Sequence, residues 1–271
     1  MLWSGPDDAV VREARGTTQR VARTFAIACR LLPREVRDDV YCLYLVFRTL
    51  DDLVDDGDSR AAERLALVEA WCEDDIVASP EAEILAALDA RHVLPRDAML
   101  DFCRGMWSDL AREPMLTEAD VERYCQRVAG TVGIVMTALL GSDDPVRARP
   151  HAAALGRALQ RTNILRDIDE DAAAGREYLA RETLARFGPD ALEPGHREAL
   201  LRDQIARADA LYEEGLAGIP LLRTGRRAIA AAAAMYREIL RQIEREGFGA
   251  KAGRVVVPAR RKLVIAALAR G

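Results

Sequence analysis

The chain has 271 residues and 29.9 kDa, enough for one large core enclosing a deep pocket. Its 39 Lys and Arg against 44 Asp and Glu leave a net charge of -5 and a pI near 5.5, with no basic block of the kind that tracks nucleic acid. Apolar residues make up 50%, charged 31% and aromatic 5%, which excludes disordered, collagenous, all-β and membrane-spanning classes. A single domain over residues 1–271 is expected, since no Pro-, Gly- or Ser-rich linker interrupts it. The cysteines (Cys29, Cys42, Cys72, Cys103, Cys125) are odd in number and never spaced CxxC, so they read as reduced core thiols. The start, MLWSGPDDAV, lacks a charged-then-apolar signal layout, and the cytoplasm is the expected compartment.

The apolar period is helical throughout, which predicts an all-α protein. The spacing predicts a first helix over about 17–31 behind a Thr17/Thr18 cap, and a second from about 34 to Asp56, ended by Gly57. Shorter helices follow at about 59–76, 80–91 and 95–112. Thr117 opens a helix, with Glu118 and Asp120 in its first turn, that should run to Leu140 and stop in the turn at 141–145. A further helix is expected over about 148–174, then irregular chain to Gly195, then helices over about 196–217 and 220–246 and an amphipathic segment from Val255 to Arg270.

Two segments carry chemistry. Val40 to Phe47 is apolar on every side, as a helix in the middle of the protein would be, and it continues into Arg48-Thr-Leu-Asp51-Asp52-Leu-Val-Asp55-Asp56. Asp51 and Asp55, four apart, share a face and repel, which a buried helix end tolerates only with a cation nearby. In Gln160-Arg-Thr-Asn163-Ile-Leu-Arg166-Asp167-Ile-Asp-Glu170-Asp171, the polar residues Gln160, Asn163, Asp167 and Asp171 step by three, four and four along one stripe. An acid pair of this kind is common on exposed helices; two such clusters, each beside an Arg and an apolar run, point instead to a lined cavity. Hard oxygen ligands suit Mg²⁺ shared with phosphate oxygens, and Arg48 and Arg166 are placed to bind a diphosphate leaving group.

Other chemistries lack their residues. A di-iron bundle needs helical Glu-x-x-His pairs, but His occurs only at 92, 151 and 196, and Glu193 to His196 encloses Pro194-Gly195. No Gly-x-Ser-x-Gly elbow, P-loop or Rossmann glycine signature is present.

The chain resembles the squalene/phytoene synthase family of head-to-head isoprenyl diphosphate synthases. The resemblance rests on Arg23-Thr-Phe-Ala26 with Leu-Leu-Pro33, on Tyr44 to Asp55, on Tyr124-Cys-Gln-Arg-Val-Ala-Gly-Thr-Val-Gly133, and above all on Gln160 to Asp171 leading to Gly175-Arg-Glu-Tyr178. It implies an isoprenoid synthase fold, a helical bundle around a central hydrophobic cavity. By the same resemblance, Asp51, Asp55, Asn163, Asp167 and Asp171 hold Mg²⁺, with three ions implied when diphosphate is bound. Thr24, Arg48, Arg166 and Tyr178 fall at diphosphate contacts, and Tyr44, Tyr124, Tyr236 and Gln160 near the reacting carbons. Three departures limit the resemblance: Ala22 stands where many members carry a Ser that touches diphosphate, which bears on the subsite around Thr24; Ala180 stands where a Pro commonly follows the Gly-Arg-x-Tyr segment; and the chain is on the short side.

The implied reaction joins two C15 or C20 prenyl diphosphates, farnesyl or geranylgeranyl diphosphate, through a cyclopropylcarbinyl diphosphate. The product is of squalene, dehydrosqualene or phytoene type; NADPH use is left open, since only the squalene route needs hydride. Two rivals stand beside it: a terpene cyclase ionising one prenyl diphosphate, and a non-catalytic helical assembly factor. Retention of both acid clusters argues against the second. The C-terminal segment, basic and then apolar, suits diphosphate, peripheral membrane contact or plain packing. Monomer and homodimer are both open.

Overall fold

The computed structural model describes residues 7–269, the Arg23 side chain excepted. Among the described residues the regular structure is helical, and the one β-type contact is an isolated bridge between Ser142 and Leu222. Asp7 caps α1 (Asp8–Val21) by accepting from the Ala9 amide at 3.2 Å. The expected cap at Thr17/Thr18 is therefore corrected: Thr18 is buried inside α1, and its hydroxyl donates to the Ala14 carbonyl at 2.8 Å. The chain breaks at Ala22 (φ -120°, ψ 57°) before α2 (Arg23–Cys29). Next come α3 (Arg34–Asp55), α4 (Ala61–Asp74), α5 (Pro80–His92) and α6 (Arg96–Leu110), close to the expected bounds.

Thr117 opens α7 (Glu118–Cys125) with a capping box to Asp120. The single helix expected from there to Leu140 is interrupted by a π-helical turn, Gln126–Gly130, before α8 (Thr131–Leu140). Such a turn widens the helix by one residue and re-aims the side chains beyond it. The expected 148–174 helix is likewise two, α9 (Pro145–Arg166) and α10 (Ile168–Ala173), because Asp167 leaves helical geometry at φ -106°, ψ 12°. The stretch read as irregular contains α11 (Arg181–Phe187), tethered where Arg181 and Glu182 donate to the Met115 and Leu116 carbonyls. Then follow α12 (Glu198–Leu216), a 3₁₀ turn (Ile219–Leu221), α13 (Arg226–Arg245) and α14 (Ala259–Leu268). The start of α13 falls later than expected because Gly225, at φ 72°, provides the left-handed turn before it.

Helix α3 runs through one half of the core: Val40, Leu43, Val46 and Leu50 are fully enclosed, as their apolar surroundings in sequence require. Helix α9 occupies the other half, packed on α8, α12 and α13. Its approach to the π turn and α8 is backbone to backbone, because a Cβ at Gly156 would stand 2.1 Å from the Ala129 carbonyl oxygen and one at Gly133 2.3 Å from that of Ala152. Arg161, 5% exposed, donates to Glu118 and Glu122 at 3.2 Å and to Gln204 at 3.1 Å, tying α9 to α7 and α12. Thr162 hydrogen-bonds the Ala158 carbonyl and Tyr212. Both residues thus serve the packed side of α9 and leave Gln160 and Asn163 to the other. All five cysteines are free and buried, as expected, and burial pushes the Cys29 thiol up to about 12.

Candidate active site

Between α3, α8, α9 and α13 lies an apolar cavity of about 360 Å³, within the range of small-molecule sites. Phe25, Phe47, Phe102, Val128, Val132 and Met136 form much of its wall. Asn163, Gln160, Gly156, Ala152 and Ala148 of α9 all line it. At 1.5 Å per residue the fifteen steps from Asn163 to Ala148 span about 22 Å. The polar end is marked by Arg48, Asp51 and Asn163; small and branched residues such as Ala148, Leu140 and Leu222 line the far part.

At the polar end, the Arg48 guanidinium donates to Asp51 at 3.1 Å and to Asp52, while its Nε is buried without a partner. Burial and the Asp55 charge push the Asp51 carboxyl up to about 7, although 41% of its side-chain surface stays open at the mouth. Asp55, one turn on, is held by Arg176. Across the mouth Asn163 donates to Gln160 Oε1 at 3.4 Å, and its own Oδ1 is buried with nothing bound to it. Beyond the break, Asp167 accepts from Arg166 Nε at 2.7 Å and lies 3.2 Å from Arg254 Nε, while Arg254 Nη1 donates to Glu170 at 3.0 Å. Burial and the Asp167 charge push Asp171 up to about 6.

An orphaned buried amide oxygen and one carboxyl in each acidic cluster, Asp51 and Asp171, raised by burial and a neighbouring acid, fit a hard divalent cation. Among the described residues no three His, Cys, Asp or Glu side chains are arranged to hold an ion unaided.

The tyrosines sort into two groups. Tyr44 and Tyr236 line the cavity; the Tyr44 ring lies 5.2 Å from that of Phe25, and burial pushes its phenol up to about 12. Tyr124, also on the cavity wall, stacks on Tyr178 with centroids 5.0 Å apart and planes at 19°. Both phenols donate to one carboxylate, Asp109, from Tyr124 at 3.0 Å and from Tyr178 at 3.2 Å. Burial raises Asp109 to about 6 against the pull of the two phenols and of Arg176.

Of the residues singled out from sequence, Tyr44, Arg48, Asp51, Tyr124, Gln160, Asn163 and Tyr236 line the cavity together. Asp55, Arg166, Asp167, Asp171 and Tyr178 are not part of that lining; Asp171 and Tyr178 border a neighbouring cleft. Thr24 lies on α2, where its hydroxyl accepts from Lys262 Nζ at 2.9 Å. The single polar stripe expected through Asp171 is corrected by the break at Asp167, which lets α10 leave the axis of α9. Sequence reasoning missed Asp109, Asp52, Arg176 and Arg254. The Asp51-Asp52 doublet was the one available signal for Asp52, and Gly175-Arg-Glu-Tyr178 the one for Arg176.

Helix α14 packs on α2 and α13 and exposes Leu263, Val264 and Leu268. No helix among the described residues is long and apolar enough to cross a membrane.

Residues 18–261 match the squalene/phytoene synthase family. A phytoene synthase of Thermus thermophilus is 38% identical over 235 residues, covering 83% of this chain and 80% of its own length. A presqualene diphosphate synthase of Zymomonas mobilis is 38% identical over 200 residues, 71% of this chain and 68% of its own. Among solved structures, a dehydrosqualene synthase in complex with ligand superposes with a TM-score of 0.88 at 27% identity, covering 96% of this chain and 94% of that one. An all-helical frame, an apolar cavity with acids at one end and these similarities lead to one assignment: the chain belongs to the squalene/phytoene synthase family.

Proposed function

We propose that this chain condenses two prenyl diphosphates head to head, through a cyclopropylcarbinyl diphosphate, to a C30 or C40 hydrocarbon. The observation that carries this reading is the buried, unpartnered Asn163 Oδ1 on the same apolar cavity as the Arg48–Asp51 pair. Family members bind diphosphate through a divalent metal. In this chain Asp51, Asp55, Asn163, Asp167 and Asp171 would hold it, and when bound it supplies positive charge to the departing diphosphate.

The remaining work falls to the chain itself. Arg48 and Arg166 bind diphosphate oxygens and, as fixed cations, stabilise the charge that develops as the C–O bond breaks. The wall of Phe47, Phe102, Val128 and Val132 excludes the water that would quench an allylic cation. Gln160, Tyr44 and Tyr236 offer neutral dipoles close to the diphosphate end, where they steer a cation without capturing it. The relatives named above are coupling enzymes, and neither the cyclase nor the scaffold reading gains support from them.

The test is to incubate purified protein with Mg²⁺ and farnesyl or geranylgeranyl diphosphate, with and without NADPH, and to analyse the phosphatase-treated extract by mass spectrometry. A C30 or C40 product is expected, and its response to NADPH identifies the quench. A C15 or C20 hydrocarbon or alcohol above enzyme-free controls would mean ionisation of a single substrate; no Mg²⁺-dependent product would remove the enzymatic reading.

A further inference from the structure

Asp109 belongs to none of the aspartate clusters, yet it is the point on which the second pair of tyrosines converges. It sits near the end of α6, and both of its carboxylate oxygens are engaged, Oδ2 by Tyr124 at 3.0 Å and Oδ1 by Tyr178 at 3.2 Å. The two rings lie face to face, so that one carboxylate fixes a stacked pair drawn from α7 and from the loop after α10. Arg176, which holds Asp55, also reaches the Tyr178 hydroxyl at 3.5 Å. The carboxylate is thereby linked through Tyr178 to the acid-bearing end of α3.

A phenol carries a single proton and two lone pairs. Once that proton is committed to Asp109, the oxygen has only lone pairs to offer any other group. A charge-assisted bond to a carboxylate also draws negative charge onto the phenolic oxygen and ring. Tyr124 forms part of the wall of a cavity otherwise lined by hydrocarbon, so it presents an electron-rich group there and not an acid. A protic donor beside an allylic or cyclopropylcarbinyl cation would be repelled by it. An electron-rich aromatic group attracts such a cation through its face and its oxygen.

We infer that Asp109 is a positioning residue: by accepting both phenolic protons it locks the Tyr124–Tyr178 pair and turns Tyr124 into a cation-stabilising wall of the reaction cavity. The inference rests on the coupling function proposed above, but its structural half can be read without turnover.

The experiment compares the full chain with its Asp109→Asn and Asp109→Glu variants. Asn is isosteric but neutral, with one acceptor oxygen for two phenols, so at least one phenol loses its acceptor. In protein labelled with ¹³C at the tyrosine ζ position, with signals assigned through Tyr124→Phe and Tyr178→Phe, Asp109→Asn should shift those two resonances and leave those of the other tyrosines in place. With prenyl diphosphate and Mg²⁺, it should lower kcat by about tenfold or more while KM stays within about threefold, since substrate binding is left intact. Asp109→Glu, which restores the charge on a longer arm, should recover part of kcat. Unmoved resonances would overturn the inference, as would an unchanged kcat or a loss carried wholly by KM. A wild-type chain that shows no coupling while its tyrosine signals respond to Asp109→Asn would overturn the function proposed above and the catalytic half of this inference, leaving the hydrogen-bonded pair established.

Discussion

Arg176 grips Asp55 twice, through its carboxylate and through its backbone carbonyl at 3.2 Å, and so joins the end of α3 to the chain beyond α10 across 121 residues of sequence. The two acid-bearing segments are thus bridged by a guanidinium. Arg176→Ala should lower the melting temperature measured in EDTA. Because Asp55 is 42% exposed and water screens the pair, the expected loss is only about 1 kcal/mol. A melting temperature unchanged in EDTA would show that the bridge contributes nothing.

The raised carboxyls set a pH dependence. Asp51 titrates near 7, and Asp109 and Asp171 near 6, all above their ordinary range. Between about pH 4 and pH 7 the unfolded chain has shed protons that the folded chain retains, so folding stability falls as pH rises. Thermal unfolding in EDTA should therefore show these groups favouring the fold at pH 5 over pH 7. Inorganic diphosphate with Mg²⁺ should raise the melting temperature more at pH 7 than at pH 5, because protons compete with the cation for the oxygens of Asp51 and Asp171. An equal ligand-induced rise at both values would count against Asp51 and Asp171 as binding groups.

Asp51→Asn and Asp167→Asn should each cut turnover by about a hundredfold or more while sparing the fold. For Asp51→Asn the metal-free protein should also gain stability, since the substitution removes repulsion with Asp55. Circular dichroism melts beside product assays separate the two effects. Full turnover in either variant would refute the metal assignment.

Substrate length should answer to the far part of the cavity, away from the acids. Ala148 is 3% exposed and lines that part, so Ala148→Phe fills it. The kcat/KM for geranylgeranyl diphosphate should fall by about tenfold relative to that for farnesyl diphosphate, as expected when a pocket loses room for apolar groups. Equal losses for both substrates would move the end of the chain elsewhere.

Arg161→Met should destabilise the protein by about 3 kcal/mol in urea unfolding, because it leaves Glu118 without its guanidinium partner. Activity should fall with stability and return in part at low temperature. A variant as stable as the parent would mean that Glu118 finds other partners.

The parts legible in sequence are those written in periodicity. Val40 to Phe47 announced a buried helix, and four-residue spacing put Asp51 and Asp55 on one face of it. The same reasoning brought Gln160 and Asn163 onto the cavity face of α9. The breaks at Ala22 and Asp167 and the π turn at Gln126 were not legible, because each is a local departure that tertiary packing imposes on residues able to continue a helix. Asp109 was hidden for a different reason: one acid in an ordinary amphipathic helix carries no spacing signal, and its two phenol partners come from distant segments. The cavity floor was equally silent, since Ala148, Leu140 and Leu222 meet only in three dimensions.

Helix α9 has both ends of the cavity on it, Asn163 at the mouth and Ala148 at the floor, with Gly156 between them pressed against the Ala129 carbonyl. It therefore acts as a ruler: the distance from the reacting end of a substrate to the end of its hydrocarbon is measured along one rigid rod and not across a join between elements. Reading a longer tail then requires no rebuilding of the chemistry, because shaving the side chains at one end of the rod leaves the other end where it was. Adding a full turn to α9 below Gly156 would reset the scale by about 5.4 Å, a step comparable to one isoprene unit.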